Sequence, residues 1–192
     1  PLVQRFGAGL GGFSTAALLY LGAAAVGAVL RRPVKREARV RRSDAPRLAW
    51  MALFGAVIAP VALAWGLQRT SAASASLMLA LEAVFTAALA RLWYHESMDR
   101  RVLAGVALLV GGGMLLVFDR LESGPGQAVG LLAVALATAA WGVDNALSRP
   151  VAERDPGQVV LFKGMLGALA TCCLAVVGGE PVPAVLPALG LL

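Results

Sequence analysis

Three ionisable residues lie deep inside long apolar runs of the sequence, where such groups are rare; a fourth, Arg91, lies near the end of its run. Glu82 is about midway along the run from Ser71 to Tyr94, and Asp144 and Lys163 lie in two later runs. An ionisable group in hydrocarbon costs about 2.5–3.5 kcal/mol on insertion scales, so each of the three needs a structural or chemical reason. These residues are therefore the first candidates for a binding or coupling site.

The position of Glu82 is compatible with two interpretations. In the functional one it is a substrate or coupling carboxylate that faces a central cavity and alternates between protonated and ionised forms. In the structural one it hydrogen-bonds to a neighbouring helix, or to a backbone broken at Pro60. The sequence favours neither.

Asp144 and Lys163 lie at similar distances on either side of the polar segment Ser148–Gly157. An antiparallel helical hairpin would bring them to the same depth, where an ion pair would offset much of the cost of burying each charge. The pair is interpreted either as a structural clamp at the cytoplasmic helix ends or as a gate or substrate contact that opens during transport. Asn145 and Trp141 share this region, and Trp141 either lines a cavity or anchors the helix at the membrane interface.

The sequence shows no constellation for catalysis. His95 is the only histidine and lies in a polar turn, and Cys172 and Cys173 are adjacent, without metal-ligand spacing. Gly111-Gly112-Gly113 is not followed by Lys-Ser or Lys-Thr, which a phosphate-binding loop would need. Catalytic, cofactor and metal sites are not expected, and neither is enzyme activity.

The elements that must position these residues are membrane-spanning helices. Of the residues, 59% are hydrophobic and 15% are charged, and the mean hydropathy is +0.76. Runs of about 20 apolar residues without alternation predict helices that cross a bilayer of about 30 Å. The sequence predicts an all-α bundle with six full spans and the start of a seventh after Gly178; the six are Ala8–Leu30, Leu48–Leu67, Ser71–Tyr94, Val102–Phe118, Gln127–Leu147 and Gln158–Val177.

The basic residues predict the orientation of these spans. The net charge is +6, and eight of the 17 basic residues lie between Arg31 and Arg47 without an aromatic residue among them, which argues against nucleic-acid binding. When the sides alternate, this loop and the segments Tyr94–Arg101 and Ser148–Gly157 share the cytoplasmic side. Fourteen basic residues then lie inside and three outside, as the positive-inside rule requires.

Two groups of motifs resemble the two repeats of the EamA family, in the drug/metabolite transporter superfamily. The stretch Thr70–Leu77, the run Leu81-Glu82-Ala83-Val84-Phe85, Glu96 and the run Gly105–Leu116 are similar to the first repeat. Trp141–Asn145, Ser148-Arg149, Asp155-Pro156 and Lys163-Gly164 are similar to the opening of the second. Two positions depart from the family pattern: Ala83 stands where Pro is common, and His95 stands where Gly is frequent.

The resemblance implies ten helices in two inverted five-helix halves. On that template residues 1–119 form the first EamA repeat without its first helix, and residues 127–192 form a truncated second repeat. Arg5 opens its span from the outside and Lys163 opens the corresponding span from the inside, as an inverted repeat requires. Arg5 therefore joins the candidates for substrate or coupling contacts.

By resemblance, the chain is a multi-pass secondary transporter of the cell membrane, expected to be a bacterial inner membrane. It would move a small organic metabolite or drug, as an exporter, by alternating access. The expected partners are the lipid bilayer, the small-molecule solute, a coupling ion (proton or sodium) and, as one assembly to consider, a second copy in a homodimer. The alternative is a structural or accessory membrane subunit that does not itself transport.

Overall fold

The computed structural model describes residues 11–29, 38–123 and 125–180, and all regular elements in these ranges are helical. Six helical segments are long and apolar enough to cross a membrane, which confirms the predicted all-α bundle with six spans. Arg5 and the predicted seventh span lie outside the described residues. The helices are α1 (Gly12–Val29), α2 (Ala45–Ala52), α3 (Ala59–Leu67), α4 (Ala72–Leu79), α5 (Leu81–Tyr94), α6 (Arg100–Ser123), α7 (Pro125–Ser148) and α8 (Pro156–Val177).

The second span changes its hydrogen-bond register in the middle. It runs from Arg42 to Leu67, and the residues between α2 and α3, Leu53–Ile58, form a π-helix. The amide of Ala59 donates to the carbonyl of Phe54, five residues back. In this register the next carbonyl, that of Gly55, would accept from residue 60, which is a proline without an N–H. The Gly55 carbonyl is thereby released from the helix backbone.

The third span is broken at Ala80, where a continuous helix was predicted. The amide of Ala80 donates to the carbonyl of Leu77 over 3.2 Å, a tight three-residue turn that separates α4 from α5. At its other end α5 stops at His95, whose φ of 55° is left-handed. Glycine is the usual residue in this conformation because it has no Cβ, so a histidine here is an exception.

The predicted polar turn Asp119–Gly126 is shorter in the structure. Helix α6 continues to Ser123 and α7 already begins at Pro125. A proline fits the first turn of a helix because its φ is preset and its missing N–H would have had no partner there. The correction shortens the loop and leaves the number of spans unchanged.

Helix α7 is at the centre of the bundle. It packs mainly against α3 and α5, while α8 packs mainly against α1. Glycines allow close approach at both contacts: a Cβ on Gly142 would lie 2.7 Å from the Cβ of Phe85, and one on Gly164 would lie 3.1 Å from the amide nitrogen of Ala24. Of the four largest fully buried side chains in the described residues, Leu131, Val134 and Thr138 belong to α7 and Thr171 to α8.

Three segments predicted on the cytoplasmic side meet at one end of the bundle. Arg154 Nε lies 2.9 Å from Asp44 Oδ2, and the amide of Asp155 donates to the carbonyl of Ala38 over 2.7 Å. Arg149 pairs with Glu96. These contacts join the segments before α2, between α5 and α6 and between α7 and α8, as the alternation of spans predicted.

Candidate functional site

Two polar clusters each include one residue of the central helix α7, at the adjacent positions 144 and 145. Asn145 points to α5, and Asp144 points to the π-helical segment and α8. Successive residues of an α-helix are about 100° apart around its axis, so adjacent positions serve different neighbours. We call the two groups the Asn145 cluster (Glu82, Thr86 and Asn145) and the Asp144 cluster (Tyr20, Gly55, Trp141, Asp144 and Lys163).

In the Asn145 cluster one amide group binds two side chains of α5. Asn145 Nδ2 donates to Glu82 Oε1 over 2.8 Å and to Thr86 Oγ1 over 3.3 Å. Glu82 and Thr86 are four residues apart and therefore share one face of the helix. Glu82 also lies in the first turn of α5, directly after the break at Ala80, where a helix favours negative charge.

The Asn145 cluster borders an open, groove-like cavity of about 620 Å³, and Asn145 itself is exposed. Its polar lining groups are the three residues of the cluster and Glu96. The rest of the wall consists of small or apolar residues: Leu79, Ala80, Ala83, Ala87 and Ala90. The four alanines recur at intervals of three and four residues along one side of the span, so the wall of the cavity is a smooth helical face.

Glu96, at the edge of this cavity that was predicted to be cytoplasmic, is held by two arginines. Arg149 pairs with its carboxylate and places its guanidinium carbon 4.4 Å from the centre of the Tyr94 ring. Arg91 Nη1 donates to the Glu96 backbone carbonyl over 3.1 Å. The Tyr94 hydroxyl in turn donates to the carbonyl of Ala146 on α7 over 2.7 Å. The end of α5 is thereby fixed against α7.

The Asp144 cluster contains the predicted ion pair, in which Lys163 Nζ donates to Asp144 Oδ2. The carbonyl of Gly55, released by the π register and Pro60, accepts from the Tyr20 hydroxyl and, over 3.1 Å, from Trp141 Nε1. The other carboxylate oxygen, Asp144 Oδ1, is buried without a hydrogen-bond partner in the described part of the chain. Pro60, which has no N–H, thus leaves the Gly55 carbonyl to side chains of two neighbouring helices, α1 and α7.

The route by which Asp144 and Lys163 meet differs from the one predicted. The sequence suggested an antiparallel hairpin, but α7 and α8 each pack mainly against other helices, and the π-helical segment packs against both. Gly55 lies between the two side chains: a Cβ there would collide with the Asp144 carboxylate and lie 2.8 Å from Lys163 Nζ. The ion pair therefore exists because residue 55 has no side chain.

The structure brings together five of the six predicted site residues around α7. Glu82 makes the bond to a neighbouring helix that its structural interpretation predicted, and Trp141 donates inside the bundle. Sequence reasoning missed Tyr20, Gly55 and Thr86. The spacing of Thr86 four residues after Glu82 and of Pro60 five residues after Gly55 were the available signals. Within the described residues, no three His, Cys, Asp or Glu side chains are placed to hold a metal ion.

Comparisons with known proteins give two matches. The profile of the EamA-like transporter family matches residues 2–118. A curated protein named "Uncharacterized transporter" from Methanothermobacter thermautotrophicus is 32% identical over 123 residues, which cover 62% of this chain and 36% of the relative. The chain thus spans about a third of the length of that relative. No solved structure matches it.

Proposed function

Because the chain belongs to the EamA-like transporter family, we propose that it forms part of a secondary transporter for a small organic metabolite or drug. Its six apolar helical segments make it a multi-pass membrane protein. Transport would proceed by alternating access, in which two halves of the protein move against each other around a central solute site. The membrane would be the cell membrane.

The proposed halves are residues 1–119 and 127–192. The family match ends at residue 118, next to this boundary, and supports it. Both polar clusters then join one half to the other: Glu82 and Gly55 come from the first, and Asn145, Asp144 and Lys163 from the second. Contacts between halves are the ones that alternating access must make and break, which supports a role for these residues in transport.

The observation that carries the proposal is the interruption of the third span beside a polar cavity. A single tight turn at Ala80, which keeps helical backbone angles, precedes the turn that presents Glu82 to a cavity of about 620 Å³. Solute sites of secondary transporters commonly lie near the middle of the membrane, where helices are interrupted. We assign the cavity as the solute site and Glu82 with Asn145 as its first contacts.

The proposal also includes the direction of transport and the energy source that drives it. The family resemblance supports export, driven by a gradient of protons or sodium ions. Glu82 and Asp144 are the candidates for coupling because each places a carboxylate within a spanning segment. A homodimer is the assembly to test alongside the single chain.

The experiment compares solute movement by the native protein with that of Glu82→Gln in proteoliposomes. A panel of labelled metabolites is screened for counterflow, and the best solute is then followed at several imposed pH and sodium gradients. Glu82→Gln, which keeps size but removes charge, is expected to lower the initial rate at least tenfold. Glu153→Gln, which removes a carboxylate from an exposed turn, is the matched control and should leave the rate unchanged.

Two outcomes would contradict the proposal. If no solute moves faster than in empty liposomes, the chain is better described as a structural or accessory membrane subunit. If a solute moves equally well with native protein and Glu82→Gln at every gradient, Glu82 has no part in coupling or binding.

A further inference from the structure

The charge of Glu82 is not balanced by any cation in the described part of the chain. The other acidic groups nearby are paired: Glu96 with Arg149 and Asp144 with Lys163. Glu82 accepts only the neutral amide of Asn145, and it is half-buried within a membrane-spanning segment. A carboxylate that is partly removed from water and has no counterion is strongly stabilised when a cation binds beside it.

The cavity beside Glu82 therefore has a net negative wall. Its lining contains two carboxylates, Glu82 and Glu96, and Arg149 neutralises the second. An anionic solute entering it would be repelled by the uncompensated charge of Glu82, while a cationic one would be attracted. The negative charge of the wall disfavours solutes that carry a carboxylate or a phosphate.

The arrangement of hydrogen-bond acceptors indicates which class of cation the cavity would bind. The Glu82 carboxylate and the Thr86 hydroxyl are held side by side, since Asn145 Nδ2 donates to both. A primary ammonium has three N–H donors and no acceptor, so it can donate to both carboxylate oxygens of Glu82 and to the Thr86 hydroxyl. Beyond this group the wall of alanines offers an apolar surface for the body of the solute.

We propose that the cavity between α5 and α7 binds protonated primary amines, with the ammonium on Glu82 and Thr86 and the apolar body along the alanine face, while Asn145 holds these two acceptors in place. The proposal rests on the assignment of this cavity as the solute site. It adds the chemical class of the solute, a small organic amine. Neutral and anionic compounds of the same shape bind more weakly because they leave the Glu82 charge uncompensated.

The test uses amines with neutral and anionic counterparts of similar shape. Binding of phenethylamine and hexylamine to the protein in detergent is measured by calorimetry near pH 7, beside 2-phenylethanol, hexanol, phenylacetate and hexanoate. Each amine is expected to bind at least tenfold more tightly than its alcohol, and the carboxylate more weakly still. Glu82→Gln is expected to reduce the preference for amine over alcohol to less than twofold, while Glu82→Asp and the exposed control Glu153→Gln retain it.

Transport of the same six compounds separates this inference from the proposed function. If alcohols or carboxylates bind or move as well as the amines, or if Glu82→Gln keeps the amine preference, the amine class is wrong although the protein still transports. If none of the six binds, the inference is equally overturned. If the wider metabolite panel also shows no movement into proteoliposomes, the proposed function fails as well.

Discussion

Gly55 connects more of the candidate site than any ionisable residue does. Its carbonyl accepts from Tyr20 and Trp141, and its missing side chain leaves room for the Asp144–Lys163 pair. None of this follows from the type of residue 55 alone, because glycine in an apolar run is common. It follows from the π register together with Pro60, which deprives the carbonyl of its usual donor.

Gly55→Ala is expected to destabilise the protein by about 3 kcal/mol, since the methyl group must displace one member of a buried ion pair. Stability is measured by SDS titration of the protein in detergent micelles. The control is Gly112→Ala on α6, where an added Cβ meets nothing within 4 Å, and it should be neutral or stabilising by up to about 1 kcal/mol. Equal effects of the two substitutions would show that the space at Gly55 is not needed.

The individual charges were predictable from the sequence to different degrees. The Asp144–Lys163 pair followed from position along the chain, because two opposite charges at similar depths each need a partner. The bond from Asn145 to Glu82 was not specified, since it depends on which helix packs beside α5. Arg5 lies outside the described residues, and its role stays a prediction.

At the level of elements, the number of spans was predictable and their internal breaks were not. Hydropathy identifies the stretches that cross the bilayer, and these agree with the six helical segments. The π-helix at Leu53–Ile58 and the turn at Ala80 alter hydrogen-bond register without altering hydropathy. Pro60 indicated the first, but no proline marks the second.

The break at Ala80 predicts that Ala83→Pro is tolerated. Residue 83 lies in the first turn of α5, where an amide has no partner within its own helix, so the substitution is expected to cost less than about 1 kcal/mol. Ala87→Pro, one turn further into the same helix and on the same cavity wall, should cost about 3 kcal/mol or more. Both are measured by the same titration, and similar costs would mean that the third span is effectively continuous.

At the level of the whole molecule, two ion pairs close the end of the bundle that was predicted to be cytoplasmic. They differ in burial: the side chains of Arg154 and Asp44 are 16% and 9% exposed, and those of Arg149 and Glu96 are 51% and 49% exposed. Asp44 also accepts from the amide of Arg41 over 2.9 Å. Removal of the Asp44 carboxylate would therefore break more hydrogen bonds than removal of the Glu96 carboxylate, and less water is present to replace them.

Asp44→Asn is accordingly expected to cost about 2–3 kcal/mol, while Glu96→Gln should cost less than about 1 kcal/mol. The comparison is made by SDS titration at low and high salt. Salt should reduce only the contribution of Glu96, since exposed pairs are screened and buried ones are not. The expectation fails if Glu96→Gln proves the costlier of the two.

Asp144 and Asn145 are joined by a single peptide bond, yet their side chains bind different helices, α8 and α5. A rigid helix cannot move one of these residues and leave the other in place. A translation or rotation of α7 that moves Asn145 away from Glu82 also changes the distance between Asp144 and Lys163. On the proposed function, filling of the cavity on one side of α7 and closure of the Asp144–Lys163 pair on another are coupled through the same helix.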